Sequence, residues 1–407
     1  MNGEVLAPAR EEDLAAAIAA AHAAGEPLAI EGNGTKRALL RPVQAARTLS
    51  TRALSGITLY HPQELILSAR AGTPLPEIEA ALAERGQHLI AEPPTLAALF
   101  GVAPPGAPTP GIRPPTLGGL VATNLSGPRR ITGGAMRDHV MGIRAVTGTG
   151  EVFRSGGRVL KNVTGLDLAK LLTGAHGTLG VITEVTLKVL PAPAASGTLA
   201  LRVASLEAGV RALSAGLGSS YGVSGAALLP QGTQVGAEGR PGPLALLRIE
   251  DFSESVAYRL GRLREDLAAL GEVSVVEQEE SRALWAAVRE AAPLGAADEE
   301  AVWRVSVQPT AGPGVVAAAG LGKALLDWGG GLVWLAGPAT PETHAKVVAA
   351  AAAAGGSFTL FRAPEPLRAA VAVLPEEPAA LAAIGARVKT VLDPKGILNP
   401  GRMRAGS

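Results

Sequence analysis

Three glycine-rich loops in the first half of this 407-residue chain constrain its fold more than any other feature. Gly32-Asn33-Gly34-Thr35-Lys36 follows a short apolar run. Thr116-Leu117-Gly118-Gly119 opens an apolar helical stretch that carries Thr123, Asn124, Ser126 and Gly127. Gly174 to Ile182 leads into a run rich in β-branched residues. Glycine accepts positive φ and lets a backbone or a flat ligand come close, so each loop marks a sharp turn at the end of an element. The first loop offers converging N–H groups, a hydroxyl and a lysine, a cradle of pyrophosphate size. It is not a nucleoside triphosphate loop, which keeps four residues between its glycines, and Arg37 stands where a GxGxxG fingerprint needs glycine. Taken singly, each loop is open between a phosphate contact and an ordinary turn.

Around these loops the hydrophobic periodicity predicts a helix over 10–24, a strand over 28–31, an apolar strand over 65–71 and a helix over 74–85. The segment from Phe100 to Thr116 carries six prolines and reads as an exposed loop or lid. Two strands flank Gly148-Thr149-Gly150, a short helix covers 165–172 and a strand 180–190 ends at Pro191 and Pro193. The second half reads strand 198–204, helix 206–215, strands 223–229 and 244–249, helix 254–270 and strand 272–277. It then repeats loosely, with strands near 302–308, 332–336 and 357–361 and helices near 313–327, 341–354 and 376–391. Two βαββαβ half-units forming one antiparallel sheet with helices on one face are the expectation. The fold class is therefore α+β, with a first domain over 1–195, a second over 196–390 and a C-terminal return to the first over 391–407.

Composition removes several chemistries. Cysteine is absent, which excludes disulfides, thiolate metal sites and cysteine-held iron–sulfur clusters. Electrons leaving this chain would need a carrier on another. The net charge of +1 gives no basic excess for nucleic acid. The N-terminus has no basic, then apolar, secretory pattern and no stretch reads as a spanning helix, so a cytoplasmic placement is the expectation, with any membrane association arising through partners.

Taken in order, IEGNGTK, TLGGLVATNLSG and KNVTGLDLAKLLTGAHGTLGVITEVTLKVLP resemble the PCMH-type FAD-binding domain of the vanillyl-alcohol oxidase family, and DPKGILNPGRM resembles its C-terminal return. In the second half LWAAVRE, VWRVSV and DWGGGLVWL are similar to the E-subunit family of bacterial glycolate oxidases. The resemblance implies that Gly32, Asn33, Gly34, Thr35 and Lys36 hold the FAD pyrophosphate. It implies that Thr116, Leu117, Gly118, Gly119, Thr123, Asn124, Ser126 and Gly127 line the flavin and that Val181 and Ile182 touch it through their backbone. Thr35 occupies the position where many relatives carry a flavin-linking histidine, so non-covalent FAD is expected. The histidine-rich HxHxGDxNLH cluster of related catalytic subunits is missing, and no metal site is expected.

The implied function is that of an FAD-binding subunit of a multi-subunit glycolate oxidase, oxidising glycolate or a related 2-hydroxy acid beside a catalytic flavoprotein subunit and an iron–sulfur subunit. A self-sufficient oxidase of a 2-hydroxy acid, sugar or alcohol and a structural subunit with an empty pocket stay open. Such oxidation needs a base and usually an arginine for the carboxylate. His139 and His176 are the candidate bases, Arg304 and Arg362 the candidate clamps, and the catalytic residues are unassigned. His22 and His344 read as solvated, and Trp303, Trp328 and Trp334 as core.

Overall fold

The computed structural model describes residues 4–97, 99–100, 113–157, 166–230 and 242–406. Most of the proline-rich segment expected to form a lid, and the start of the KNVTGLDL stretch, lie outside the described residues.

Among the described residues the first domain has two larger sheets and a two-stranded one that pairs Gln87–His88 with Leu190–Pro191. β1 (Val5–Leu6), β2 (Leu28–Glu31) and β3 (Arg47–Ser50) form a parallel sheet in the order β1-β3-β2. Helix α1 (Glu11–Ala24) closes it with Leu14, Ile18 and Ala21 in the core. Three acids lie in its first turn, favourable toward the helix dipole, and Gly25 ends it at φ +66°. The second sheet is antiparallel. It contains β4 (Ile57–His61), β5 (Ile66–Arg70), β6 (Val140–Val146), β7 (Val152–Gly156) and β8 (Val181–Lys188), ordered β4-β5-β8-β6-β7. Helices α2 (Leu75–Ala83) and α3 (Leu117–Thr123) add to its core through Leu75, Ile78, Leu82, Leu117, Leu120 and Val121. The short helix α4 (Leu168–Leu172) precedes β8.

The second half builds one eight-stranded antiparallel sheet from two units. The first is β9 (Ala195–Arg202), α5 (Leu206–Leu217), β10 (Val223–Leu229), β11 (Leu244–Asp251), α6 (Ser253–Leu267) and β12 (Glu272–Glu277). Helix α7 (Gln278–Arg289) then leads to the second unit: β13 (Ala301–Ser306), α8 (Gly312–Ala319), β14 (Lys323–Asp327), β15 (Leu332–Gly337), α9 (Pro341–Ala353) and β16 (Ser357–Arg362). The order is β12-β9-β11-β10-β14-β15-β13-β16. Read inward from either edge, each unit presents its fourth, first, third and second strand, and the units join through Leu228 and Leu326.

Two expectations change. The stretch expected as a helix over 313–327 is helix α8 followed by strand β14, because Gly320 at φ +64° stops the helix and an apolar run then enters the sheet. Helices do not sit on one face only. Gly197 abuts Leu260 and Val256 of α6, whereas its neighbour Thr198 accepts from Trp285 Nε1 of α7 at 2.8 Å. Successive strand residues point to opposite faces, so α7 covers the other side. By register that other face also carries Arg248, Glu250, Arg304, Asp327 and Trp334, and it is turned toward the first domain.

The chain end lies against the first domain. After the exposed helix α10 (Ala379–Leu392), buried Asp393 accepts from Ile397 and Leu398 N–H and from Lys389 Nζ. Leu398 bridges Leu28 in parallel.

Candidate functional site

A cleft of about 1280 Å³ opens where β2, α3, the start of β8 and the C-terminal segment converge. Its first wall is the Gly32–Lys36 loop. A Cβ at Gly32 would lie 2.1 Å from Thr116 Oγ1, and Gly34 holds φ +73°, so glycine is required at both. Ser50 Oγ donates to Gly32 O at 2.7 Å, and Asn33 Nδ2 reaches Pro114 O at 2.7 Å. Arg37 grips Glu31 through two bonds of 2.6 and 2.5 Å. Arg402 braces the loop from behind, donating to Lys36 O at 2.7 Å and Arg37 O at 3.1 Å.

Lys36 is the exception to this pairing. Its side chain is buried and its Nζ has no hydrogen-bond partner. Burial pulls it down to about 8, with the charge of Glu290 opposing. A buried cation without a counter-ion is costly, and an anion beside it removes that cost. The lining carries four cations, Lys36, Arg37, Arg368 and Arg402, against Glu31 and Glu365. A net surplus of two positive charges suits a diphosphate bridge.

The second wall is α3. Thr116 Oγ1 caps it by accepting from Gly119 N–H at 3.4 Å, and Gly118 N–H donates to Ala71 O at 2.8 Å. A Cβ at Gly118 would meet that of Ala71 at 2.7 Å, so only glycine lets the helix seat on the end of β5. Gly118, Gly119 and Thr123 face the cleft; Leu117 is in the core. Beyond the helix the segment turns away from the lining. Asn124, at φ +49°, accepts from Arg137 N–H at 3.0 Å. Ser126 Oγ accepts from Met136 N–H at 2.9 Å, and Gly127 packs against Glu92 and Trp328.

Val181 and Ile182 complete the lining with Gly177 and Gly180. Asn399 accepts from Ile30 N–H at 2.7 Å and donates to His176 O at 2.9 Å, tying the chain end to two walls. The cleft therefore gathers Gly32 to Lys36, Thr116, Gly118, Gly119, Thr123, Val181 and Ile182, and leaves out Leu117, Asn124, Ser126 and Gly127. Sequence reasoning did not assign Glu365, Arg368, Asn399 and Arg402 to it. Asn399 and Arg402 stand inside DPKGILNPGRM, whose glycines and prolines were the available signal.

The candidate bases and clamps sort differently. His176 lines the cleft at φ +53°, but burial and then Arg402 push it down to about 3, too weak to hold a proton. His139 lies outside the lining, its Nε2 buried and unpartnered, and burial lowers it against the pull of the Gly133 carbonyl. Arg362 is occupied by the carbonyls of Leu99, Ala297 and Glu300, which corrects its reading as a clamp. His344, expected to be solvated, is buried and its Nδ1 accepts from Trp303 Nε1 at 3.1 Å; His22 is half-buried. Their helices pack these faces inward. Trp303 and Trp334 are core, while half-buried Trp328 stacks on two arginines.

A second cavity of about 440 Å³ lies between the domains, bordered by Glu79, His88, Glu92, Arg129, Arg248 and Glu250. Among the described residues no group of three or more His, Cys, Asp or Glu could hold a metal, and no helix is long and apolar enough to cross a membrane.

Sequence relatives make this chain, with its fold and cleft, an FAD-dependent oxidoreductase. The FAD binding domain family matches residues 4–156, and the C-terminal domain of FAD linked oxidases matches residues 372–403. Glycolate oxidase subunit GlcE of Escherichia coli (strain K12) is 35% identical over 383 residues, 93% of this chain and 93% of that one. The chain belongs to the family of that glycolate oxidase subunit. D-lactate dehydrogenase of Archaeoglobus fulgidus is 28% identical over 207 residues, 51% of this chain and 43% of its own. Among solved structures, 4-ethylphenol oxidase from Gulosibacter chungangensis has a TM-score of 0.71 at 14% identity, covering 98% of this chain and 88% of that one. An alkyldihydroxyacetonephosphate synthase has a TM-score of 0.70 at 17% identity, covering 97% and 76%. Those two likenesses concern the fold.

Proposed function

We propose that this chain is the FAD-carrying subunit of a multi-subunit oxidase that converts glycolate or a related 2-hydroxy acid to the 2-oxo acid, working with a catalytic flavoprotein subunit and an iron–sulfur subunit. The observation that carries the reading is Lys36, a buried cation with no hydrogen-bond partner on a glycine loop that lines a large cleft. Bound there, FAD supplies the hydride acceptor that neither lysine nor arginine can be. The Gly32–Lys36 loop would hold the pyrophosphate, Gly118, Gly119 and Thr123 would border the ring system, and Val181 and Ile182 would close the far side. Threonine at position 35 has no imidazole to alkylate, so the cofactor dissociates. The division into 1–195, 196–390 and 391–407 accords with the start of the large sheet at Ala195 and the bridge from Leu398 to Leu28. A partner role is favoured by the cysteine-free sequence, which offers no cysteine-held cluster to receive electrons.

The test is the visible flavin spectrum of the purified chain during anaerobic addition of glycolate. Oxidised flavin that bleaches only after partner subunits are added supports the proposal. Bleaching by the isolated chain would favour a self-sufficient oxidase. A chain that takes up no FAD would overturn the reading in favour of a structural subunit.

A further inference from the structure

Arg304 is a charged side chain that the fold supplies with stacking partners and no hydrogen-bonded acid, although the charge of Asp327 lies near it. Trp303 sends its indole N–H to His344 on α9, so Arg304, the next residue of β13, projects from the opposite face toward the first domain. Its guanidinium carbon lies 4.9 Å from the Trp328 ring centroid and 5.6 Å from that of Trp334. Arg130 of the first domain lies over the same Trp328 ring at 4.4 Å. Arg304 Nε is buried and unpartnered, and neither Arg304 nor Arg130 forms a side-chain hydrogen bond or ion pair among the described residues. The nearby carboxylate of Asp327 is turned to Trp328 N–H at 2.7 Å.

Two cations sharing one ring repel each other, and stacking alone compensates weakly for lost hydration. Stacking uses the flat face of a guanidinium and leaves its N–H edge free, the edge that matches a carboxylate through two parallel bonds. Arg304 is half-buried and Arg130 exposed, so the pair runs from the interior to the surface. Burial and the charge of Arg130 bring Arg304 down to about 10, which leaves it cationic at neutral pH. The distance from the proposed cofactor cleft is also bounded. Trp328 Nε1 donates to Gly127 O at 3.1 Å, and Gly127 follows Thr123 of the cleft wall by four residues, a reach of at most about 14 Å.

We propose that Arg304, with Arg130 at the rim of the Trp328 ring, seats the carboxylate of the small 2-hydroxy acid. This assignment rests on the proposed function for the identity of the acid, whereas the anion seat itself is a property of this chain without its cofactor.

The experiment titrates glycolate into the FAD-free full chain while recording tryptophan fluorescence, with propionate and glycolamide as probes and circular dichroism as the control for folding. Glycolate and propionate should give a saturable change, since both present a carboxylate, and glycolamide should give none. Arg304→Gln should weaken glycolate binding at least tenfold. Arg304→Lys, which keeps the charge and loses the fork, should fall between. Arg130→Gln, at an exposed position where folding is not at stake, should weaken binding severalfold and decides the matter if Arg304→Gln does not fold. The proposal is overturned by no saturable response of the wild-type chain, by an equal response to glycolamide, or by variants that titrate like wild type. FAD content, measured in parallel, separates the two readings: a chain that binds glycolate through Arg304 but takes up no FAD sinks the proposed function and leaves the seat standing.

Discussion

Glu92 and Arg248 join the two domains through a pair of parallel bonds, Nη1 to Oε1 and Nη2 to Oε2, each 3.0 Å long. Glu92 belongs to the first domain and Arg248 to strand β11, and a second fork links Arg129 to Glu250 at 2.9 and 2.7 Å. The four groups form a buried network, so removal of one member strands the charge of another. Glu92→Ala is expected to cost about 3 to 5 kcal/mol of unfolding free energy, read from denaturant titration. A loss below 1 kcal/mol would mean that water replaces the carboxylate.

The same network sets an acid limit. Burial would raise Glu92, but the charges of Arg248 and Arg129 override it and hold the carboxylate below its ordinary range. Burial also opposes Glu250, yet bonds from Arg129 and the charges of both arginines bring it down to about 2. Because these pKa values fall on folding, the stability they supply is present above the ordinary 4.5 and is lost as pH drops toward about 2. Unfolding monitored by circular dichroism should steepen across that window, and Glu250→Gln should flatten it.

At the proposed cofactor cleft, Lys36→Gln keeps the volume and removes a charge that has no hydrogen-bond partner. A charge-assisted hydrogen bond contributes about 1.5 to 3 kcal/mol, so FAD affinity should fall about tenfold to a hundredfold. Gly34→Asp should act more strongly. Its residue holds φ +73°, and the new carboxylate would face the phosphates. Flavin-to-protein absorbance ratios after desalting check both; unchanged ratios would remove this loop from the site.

Much of the large sheet was legible because most of its strands are short and apolar with a glycine or proline near an end, and the two half-units repeat that pattern. Its segments from 198 to 277 emerge close to where periodicity set them. The failures have local causes. Gly-Leu-Gly at 320–322 hid the change from helix to strand after α8, since an apolar run suits either. Helix α7 was missed because its inward residues, Ser281, Trp285 and Val288, include a serine that bonds Thr198 and an indole that does the same. The loops of the cleft were legible as glycine patterns, and Arg402 only through the glycines and prolines of DPKGILNPGRM around it; Arg368 was not, because nothing local distinguishes an arginine that returns from a distant segment.

Asn399 offers a check on that return. It holds both polar groups of Ile30 and the carbonyl of His176 from 369 and 223 residues away. Asn399→Ala should cost about 1 to 3 kcal/mol through the unpaired groups it leaves, seen as a lower Tm. The FAD affinity should fall with it, since Gly177 and Gly180 line the cleft beside that anchor. A lower Tm with unchanged FAD affinity would separate the chain end from the site.

Asp327 runs opposite to the glutamates in its pH dependence. Burial raises it from 3.8 to about 7, assisted by the charge of Glu92 and opposed by Trp328 N–H, Arg248 and Arg304. A carboxyl whose pKa rises on folding binds its proton more tightly in the folded chain. The contribution is therefore complete below pH 3.8 and declines as pH climbs to about 7, where the folded chain too must ionise a buried acid. Asp327→Asn keeps the acceptor for Trp328 N–H and removes the titration. The stability difference between variant and wild type should move in favour of the variant by the top of that window, measured by urea unfolding at several pH values. A constant difference from pH 4 to 8 would show that Asp327 stays ionised in the fold, held by Arg304.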